Sequence, residues 1–143
     1  MEPIIDHIQI TVKNLAKAEV FYDSLFTLLG FDPQRKVKAH IAEHDFDVIE
    51  YSHPKLAFAI TSPRQAFKDE TVHRRKPGAL HHLAFKAESR AEVDQLYQAL
   101  LRIQTTIVTA PKLYPEYSPH YYAVFFKDPG GIKYELVCTK NES

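Results

Sequence analysis

The sequence predicts an α+β fold built from two copies of one module, in which a strand and a helix are followed by three further strands. Its 143 residues are enough to bury a core without disulfide bonds. A shift of 75 residues lays the run DHIQITVKNLAKAEVFYDSL over HHLAFKAESRAEVDQLYQAL. Short β-rich runs separated by turn residues follow both copies. An internal repeat of this kind fixes the organisation of the whole chain.

The first copy begins with an alternating strand that contains His7. Asn14 then offers the short polar side chain that caps free N–H groups at the start of a helix. Apolar residues recur at helical spacing until Gly30, which is typical of a helix end. These apolar positions are Leu15, Ala18, Tyr22, Leu25 and Leu29.

The second copy repeats this order from His82, the residue aligned with His7. Ser89 takes the place of Asn14 as the predicted helix cap. The apolar face of the second helix comprises Val93, Leu96, Tyr97 and Leu100.

The strands that follow each helix complete the two modules. Asp128-Pro129-Gly130-Gly131 predicts a tight turn between the last two strands. The predicted strands are 35–42, 46–52 and 55–61 in the first half, and 105–109, 120–127 and 131–138 in the second.

These elements divide the chain into a module of residues 1–63, a connection of residues 64–78 and a module of residues 79–140. We expect residues 1–143 to form one domain. The connection contains Arg74, Arg75 and Lys76, which are predicted to be solvated.

Composition excludes several function classes. Lysine plus arginine equals aspartate plus glutamate at 18 each, so the basic field that nucleic acids or anionic membranes require is missing. The sequence shows no apolar run of membrane-spanning length and no signal peptide, which predicts a cytoplasmic protein. Cys138 lies in the apolar run ELVC and is predicted to be a buried structural thiol.

The paired βαβββ modules, the histidine on each first strand and the run DPGGIKYELV resemble the vicinal oxygen chelate superfamily. The resemblance covers nearly the whole chain and implies a curled mixed sheet whose first and last strands line a shared cavity. This superfamily includes glyoxalase I, extradiol dioxygenases, fosfomycin-resistance thiol transferases, epimerases and metal-free drug-binding proteins of the bleomycin-resistance type. Its fold therefore leaves the activity open.

The resemblance implies a metal site formed by His7, His82 and Glu135. Their places in the repeat agree with it, because the two histidines are equivalent and Glu135 lies on the predicted last strand. Two imidazoles and one carboxylate hold a divalent ion, here Fe, Mn, Zn, Ni or Co, while positions stay open for water and substrate. His81 should point to the other face of its strand.

Other positions depart from individual subfamilies. The fourth ligand of glyoxalase I would fall, within one residue, on Ala59, which cannot bind metal; Glu50 could replace it only if its strand reached the cavity. The tyrosine that dioxygenases and fosfomycin transferases place ten residues before the carboxylate is Phe125 here. The dioxygenases also have a histidine near the metal, from the segment before the fifth strand. In this chain that position is occupied by Phe67, or by His73, which aligns poorly.

Alternation along HYYAVFF puts Tyr121 and Phe125 on one face and Tyr122 on the other. The resemblance implies that Phe125 lines the cavity, which would place Tyr121 there and Tyr122 under a helix. Gln9 shares the face of His7. These positions predict a substrate site of Gln9, Tyr121 and Phe125, with Glu135 and Tyr121 as catalytic residues. The irregular aromatic segment 114–120 fits either a lid or a surface loop.

The sequence therefore predicts a metal-dependent enzyme that acts on a small, oxygen-rich substrate. Proton abstraction or isomerisation is preferred over thiol transfer and oxygen-dependent ring cleavage. The alternatives are a metal-free protein that sequesters a drug or metabolite, and an inactive partner subunit. We expect a homodimer, in which metal ligands come from one chain or from both.

Overall fold

The structure is a computed structural model that describes residues 1–142. It contains two compact units, one of residues 1–71 and one that begins at Val72. The boundary lies inside the predicted connection 64–78.

The first unit is a four-stranded mixed sheet with one long helix. Its strand order is β1-β4-β3-β2, and β1 and β4 are parallel while the other pairs are antiparallel. Its elements are β1 (His7–Thr11), α1 (Leu15–Leu28), β2 (Asp32–Ile41), β3 (Phe46–Ser52), β4 (Ala57–Thr61) and a 3-10 turn (Gln65–Phe67).

The second unit repeats this plan. Its strand order is β5-β8-β7-β6, again with one parallel pair, β5 and β8. The predicted α+β fold of two βαβββ modules is confirmed. Its elements are β5 (Leu83–Lys86), α2 (Arg90–Arg102), β6 (Thr106–Leu113), β7 (Tyr122–Lys127) and β8 (Lys133–Cys138).

Both helices begin at the predicted caps. The side chain of Asn14 accepts a hydrogen bond from the N–H of Lys17 at 2.9 Å, and that of Ser89 accepts one from the N–H of Glu92 at 3.1 Å. Each cap satisfies one of the N–H groups that a helix start leaves unpaired. Within residues 1–142, no helix is both long and apolar enough to cross a bilayer.

Each helix covers one face of its own sheet. In the first unit, the rings of Tyr22 and Phe26 on α1 lie 6.3 and 4.8 Å from the ring of Phe58 on β4. In the second unit, Val93 and Leu100 on α2 are fully buried. Because side chains alternate along a strand, every second residue is directed to the opposite face, and the predicted site residues lie there.

Some predicted strand ends were wrong by two or three residues, and β6 is longer than the predicted 105–109. Register shifts interrupt its pairing with β7, between Ile107 and Thr109 and between Thr109 and Lys112, and it contains Pro111. Because β6 is an edge strand, it tolerates a proline and bulges that hide the strand pattern in the sequence.

The turn between β7 and β8 is organised by Asp128, a buried carboxylate. Its Oδ1 atom accepts hydrogen bonds from the N–H groups of Gly130, Gly131 and Ile132 at 3.0, 2.8 and 2.8 Å. Gly131 has φ of 107°, which favours glycine. These N–H groups are used in the turn, so β8 begins at Lys133 rather than at residue 131.

We predict that Asp128→Ala lowers the free energy of unfolding by about 2–4 kcal/mol, because three N–H groups lose a charged acceptor. Asp128→Asn keeps an acceptor oxygen and should cost less. Denaturant unfolding at constant slope measures both. The matched control is Asp69→Ala, which removes an exposed carboxylate from the connection. Equal midpoints for Asp128→Ala and Asp69→Ala would contradict the assigned role of the turn.

Candidate functional site

Glu135 is the centre of the candidate site. It lies on β8, paired in register with Ala84 on β5 and Phe125 on β7. Its side chain is 1% exposed. A carboxylate buried to this extent requires polar or charged partners, because its transfer out of water is costly.

Both carboxylate oxygens of Glu135 have a partner. The Nε2 atom of His82 lies 3.2 Å from Oε2. The hydroxyl of Tyr121 donates a hydrogen bond to Oε1. The second unit therefore brings three of the predicted site residues into direct contact.

His82 also contacts its neighbour in sequence. Its Nδ1 atom lies 2.8 Å from Nδ1 of His81, so one of these two nitrogen atoms donates to the other. His82 lies immediately before β5, where strand alternation does not yet apply, and this explains why His81 is not directed away from it. Loss of water contact, and then the charges of His82 and Arg74, lower the pKa of His81.

A wall of apolar side chains surrounds this polar centre. Tyr114 and Phe125 are 7% and 8% exposed and pack with Ala123 and Val137, and Tyr121 packs against the group. The Phe125 ring lies 6.2 Å from the ring of His82. Such surroundings lower the local dielectric and strengthen the electrostatic interactions of Glu135.

The aromatic segment 114–120, which the sequence left open as a lid or a surface loop, supplies part of this wall. Tyr114 is buried, and the exposed ring of Tyr117 stacks on it at 5.3 Å. Sequence reasoning did not single out Tyr114 as a site residue. The available signal was the spacing of Tyr114, Tyr117 and Tyr121, three and four residues apart.

The structure separates the two adjacent tyrosines as strand alternation predicts. The Tyr122 hydroxyl donates to Asp94 on α2 at 2.7 Å, on the side opposite Glu135. Burial and then this hydrogen bond raise the pKa of Tyr122 to about 12. Burial and then the hydrogen bond to Glu135 also raise the pKa of Tyr121. Both hydroxyls are therefore protonated donors at neutral pH.

The first unit holds the other predicted residues. His7 is the first residue of β1, and its side chain is 62% exposed. Its Nδ1 atom lies 2.7 Å from a carboxylate oxygen of Asp6, which leaves Nε2 for another partner. Gln9 shares the exposed face of β1 and borders a cleft of about 930 Å³ whose lining includes Thr11, Thr61 and Arg64.

Strand register shows which residues of the two sheets are equivalent. In the first sheet Gln9 pairs with Ala59, and in the second sheet Ala84 pairs with Glu135. The repeat aligns Gln9 with Ala84, so Ala59 is the equivalent of Glu135. Glu50 pairs with Ala59 as Phe125 pairs with Glu135, and Glu50 is exposed. The buried carboxylate at this place in the second sheet is therefore replaced by alanine in the first.

The predicted metal ligands belong to different units. His82 and Glu135 lie in the second unit and His7 in the first. Within residues 1–142, no three His, Cys, Asp or Glu side chains form a group able to hold a metal ion. The three-ligand site therefore stays a prediction. Cys138 is buried, as predicted.

The basic run of the connection is not uniformly solvated as predicted. Arg75 and Lys76 are exposed, but Arg74 is half-buried. Its Nε atom is buried without a hydrogen-bond partner within residues 1–142. This placement depends on packing across the second unit, which a local charge pattern does not reveal.

Comparison with known sequences gives a family. A sequence model of the Glyoxalase/Bleomycin resistance protein/Dioxygenase superfamily matches residues 4–136. The chain is 30% identical over 137 residues to the uncharacterised protein YqjT of Bacillus subtilis. The alignment covers 92% of this chain and 96% of YqjT.

Solved structures agree with this match. A Bacillus halodurans protein described provisionally as a glyoxalase is 30% identical, with a TM-score of 0.75 and 96% of both chains covered. The fosfomycin resistance protein FosX of Listeria monocytogenes has the same fold at 17% identity, with a TM-score of 0.69, covering 99% of this chain and 98% of FosX. The chain belongs to the glyoxalase/bleomycin resistance protein/dioxygenase superfamily.

Proposed function

We propose that this protein is a divalent-metal-dependent enzyme that acts on a small, oxygen-rich substrate able to chelate the ion. The observation that carries the proposal is the buried carboxylate of Glu135, with the imidazole of His82 at 3.2 Å. Lyase or isomerase chemistry is preferred, with thiol transfer and ring-cleaving dioxygenation as other reactions of the same type of site.

The donor atoms of His82 and Glu135 fit a metal. Typical bonds from zinc to imidazole nitrogen and carboxylate oxygen are about 2.0–2.2 Å, so two ligands at right angles have donor atoms about 3 Å apart. The separation of Nε2 and Oε2 is 3.2 Å. A cation between these atoms would also compensate the buried negative charge of Glu135.

His7 is the proposed third ligand, from the first unit of the same chain or of a partner chain. Its contact with Asp6 supports this role, because ligating histidines usually donate their second ring N–H to a carboxylate or carbonyl. The Nδ1 atom of His81 lies 2.8 Å from Nδ1 of His82, in position to accept the second ring N–H of His82. A homodimer, which we also propose, would let the two units of different chains complete each site.

When bound, such an ion polarises a substrate carbonyl and makes an adjoining proton more acidic. Glu135 is the proposed acceptor of this proton, and because it is also a proposed ligand it would take up the proton only after leaving the ion. Tyr121 holds Oε1 of Glu135 and so fixes the direction of Oε2. Tyr114 and Phe125 exclude water from the same place.

The relatives support the proposal without defining the reaction. FosX has been determined with Mn(II) and 1S,2S-dihydroxypropylphosphonic acid, and its fold matches this chain with a TM-score of 0.65 at 16% identity. A lactoylglutathione lyase of Agrobacterium tumefaciens matches with a TM-score of 0.63 at 17% identity. The same fold therefore carries both metal-bound and lyase proteins.

A metal-free protein that sequesters a small molecule is the second candidate. The observation that favours it is the size of the first unit's cleft, about 930 Å³, which is bordered by Gln9. Cavities of this volume accept drug-sized ligands. The two candidates differ in metal content.

We predict about one divalent ion per chain after stripping and re-equilibration with a mixture of Fe(II), Mn, Zn, Ni and Co, measured by elemental analysis. His7→Ala, His82→Ala and Glu135→Gln should each lose most of the ion, since each removes a donor. His44→Ala and Glu116→Gln are matched controls and should retain it. Equal, near-zero metal in the parent and all variants would favour the sequestering protein.

We predict that Tyr121→Phe weakens metal affinity by about 10–100-fold, the usual effect of removing a group that orients a metal ligand. Tyr122→Phe is the matched control, because it removes a hydroxyl from the same strand region that contacts α2 instead of Glu135. Competition with a chelating dye measures both affinities. Equal affinities in the two variants would remove Tyr121 from the site.

A further inference from the structure

We propose that the cleft of the first unit is a binding site for a small, neutral molecule that combines a flat aromatic ring with a hydroxyl or N–H donor. Under the proposed function, this molecule is the part of the substrate that extends away from the metal, and that meaning rests on the proposed function. Binding in the cleft itself does not require the metal and is measured without it.

The cleft forms where β3 and β4 separate. The two strands stay paired as far as Thr61, and the N–H of Ser62 donates one more hydrogen bond to the carbonyl of Asp47 at 3.0 Å. The hydroxyl of Ser62 accepts a hydrogen bond from the N–H of Asp47 at 2.9 Å. Beyond this point, segments 43–46 and 63–67 border a volume of about 930 Å³. The cleft is therefore formed by the backbone path and is large enough for a drug-sized molecule.

The floor of the cleft presents a hydrogen-bond acceptor. Thr61, which is 5% exposed, donates its only hydroxyl proton to the carbonyl of Ile10 at 3.1 Å. The Oγ1 atoms of Thr11 and Thr61 lie 3.2 Å apart, so Thr11 is the donor in this contact. The exposed hydroxyl of Thr11 borders the cleft with its proton already used and with lone pairs that can still accept. The floor therefore favours a ligand that brings a donor.

Two aromatic side chains border the cleft from different segments. Phe46, at the start of β3, is half-buried, and Phe67, in the 3-10 turn, is 52% exposed. A flat ring placed against them removes apolar surface from water and gains the offset or edge-to-face contacts that aromatic pairs prefer. An aromatic ligand therefore gains more here than a saturated ring of the same size.

The charges at the border of the cleft have both signs. They are those of Glu43, Asp45 and Arg64, and all three side chains are exposed. Exposed charges of mixed sign are screened by water and salt, so they select neither a strong anion nor a strong cation. A neutral ligand is the chemistry that the whole lining favours.

The position of the cleft on β1 relates it to the proposed metal ligand of the same unit. Gln9 and Thr11 follow His7 on one face of the strand, at about 7 and 13 Å along it. The amide of Gln9 can both donate and accept a hydrogen bond. A substrate bound at His7 would therefore reach the cleft by passing Gln9.

The test is a titration of the full, metal-free, ¹⁵N-labelled chain with methyl 4-hydroxybenzoate, followed by amide NMR. Methyl 4-methoxybenzoate keeps the flat ring but lacks the donor. Methyl 4-hydroxycyclohexanecarboxylate keeps the donor but lacks the flat ring. We expect saturable shifts in segments 43–46 and 61–67 with the hydroxybenzoate, and about fivefold weaker binding of each comparison compound.

Variants assign the two contacts. Thr11→Val keeps the side-chain shape and removes the acceptor, so it should raise the dissociation constant of the hydroxybenzoate about fivefold and leave that of the methoxybenzoate unchanged. Thr11→Ser restores the acceptor and should restore the affinity. Phe46→Leu should weaken both aromatic esters and leave the cyclohexane ester unchanged.

Thr106→Val and Phe85→Leu are matched controls in the second unit. Thr106 is an exposed threonine of β6, and Phe85 is a half-buried phenylalanine of β5. No saturable shifts in the parent, equal affinities for the three esters, unchanged affinity in Thr11→Val, or an equal loss in the controls would each overturn the site.

The same experiment separates this inference from the metal proposal. Thr11→Val should keep the parent's metal content, because Thr11 is not a proposed ligand. Binding in the cleft by a chain that takes up no metal overturns only the metal-dependent enzyme and favours the sequestering protein. Metal uptake without binding in the cleft overturns only the inference drawn from the cleft.

Discussion

The burial of one carboxylate determines the polar contacts at the centre of the second unit. Glu135 is 1% exposed in an otherwise apolar part of its sheet, so its charge must be compensated by neighbouring groups. His82 and Tyr121 reach it from the start of β5 and of β7, and the Asp128 turn fixes the register that places Phe125 beside it. The site's geometry therefore follows from the strand order, because β8 lies between β5 and β7.

The fold could be predicted because its signals are local. Asn14 and Ser89 cap helices through their own side chains, and apolar residues at helical spacing identify the covered face. Because the two halves of the chain align, the elements predicted for one half were also predicted for the other. The ends of β6 could not be predicted in this way, because an edge strand with Pro111 and two register shifts lacks regular alternation.

The candidate site could be predicted only in part. Alternation predicted that Tyr121 and Tyr122 point to opposite faces, and their hydroxyls do bond to Glu135 and to Asp94, although Tyr121 lies one residue before β7. The burial of Tyr114 depends on how the loop before β7 folds over the sheet, and the burial of Arg74 Nε depends on packing between segments distant in sequence. Neither is encoded in a short pattern. The contact between His81 and His82 was missed because strand alternation was applied one residue too early.

The two halves share a topology but not a chemistry. At equivalent register positions, the first sheet has Ala59 beside an exposed Glu50, whereas the second has Glu135 beside a buried Phe125. Moving the carboxylate from an exposed to a buried position changes it from a solvated charge to one that needs a cation or a proton donor. In the proposed function the second sheet therefore provides the reactive centre, while the first offers exposed polar groups, among them Gln9 at the border of an open cleft. The two halves of an internal repeat can therefore keep the same fold while a few substitutions give them different chemical properties.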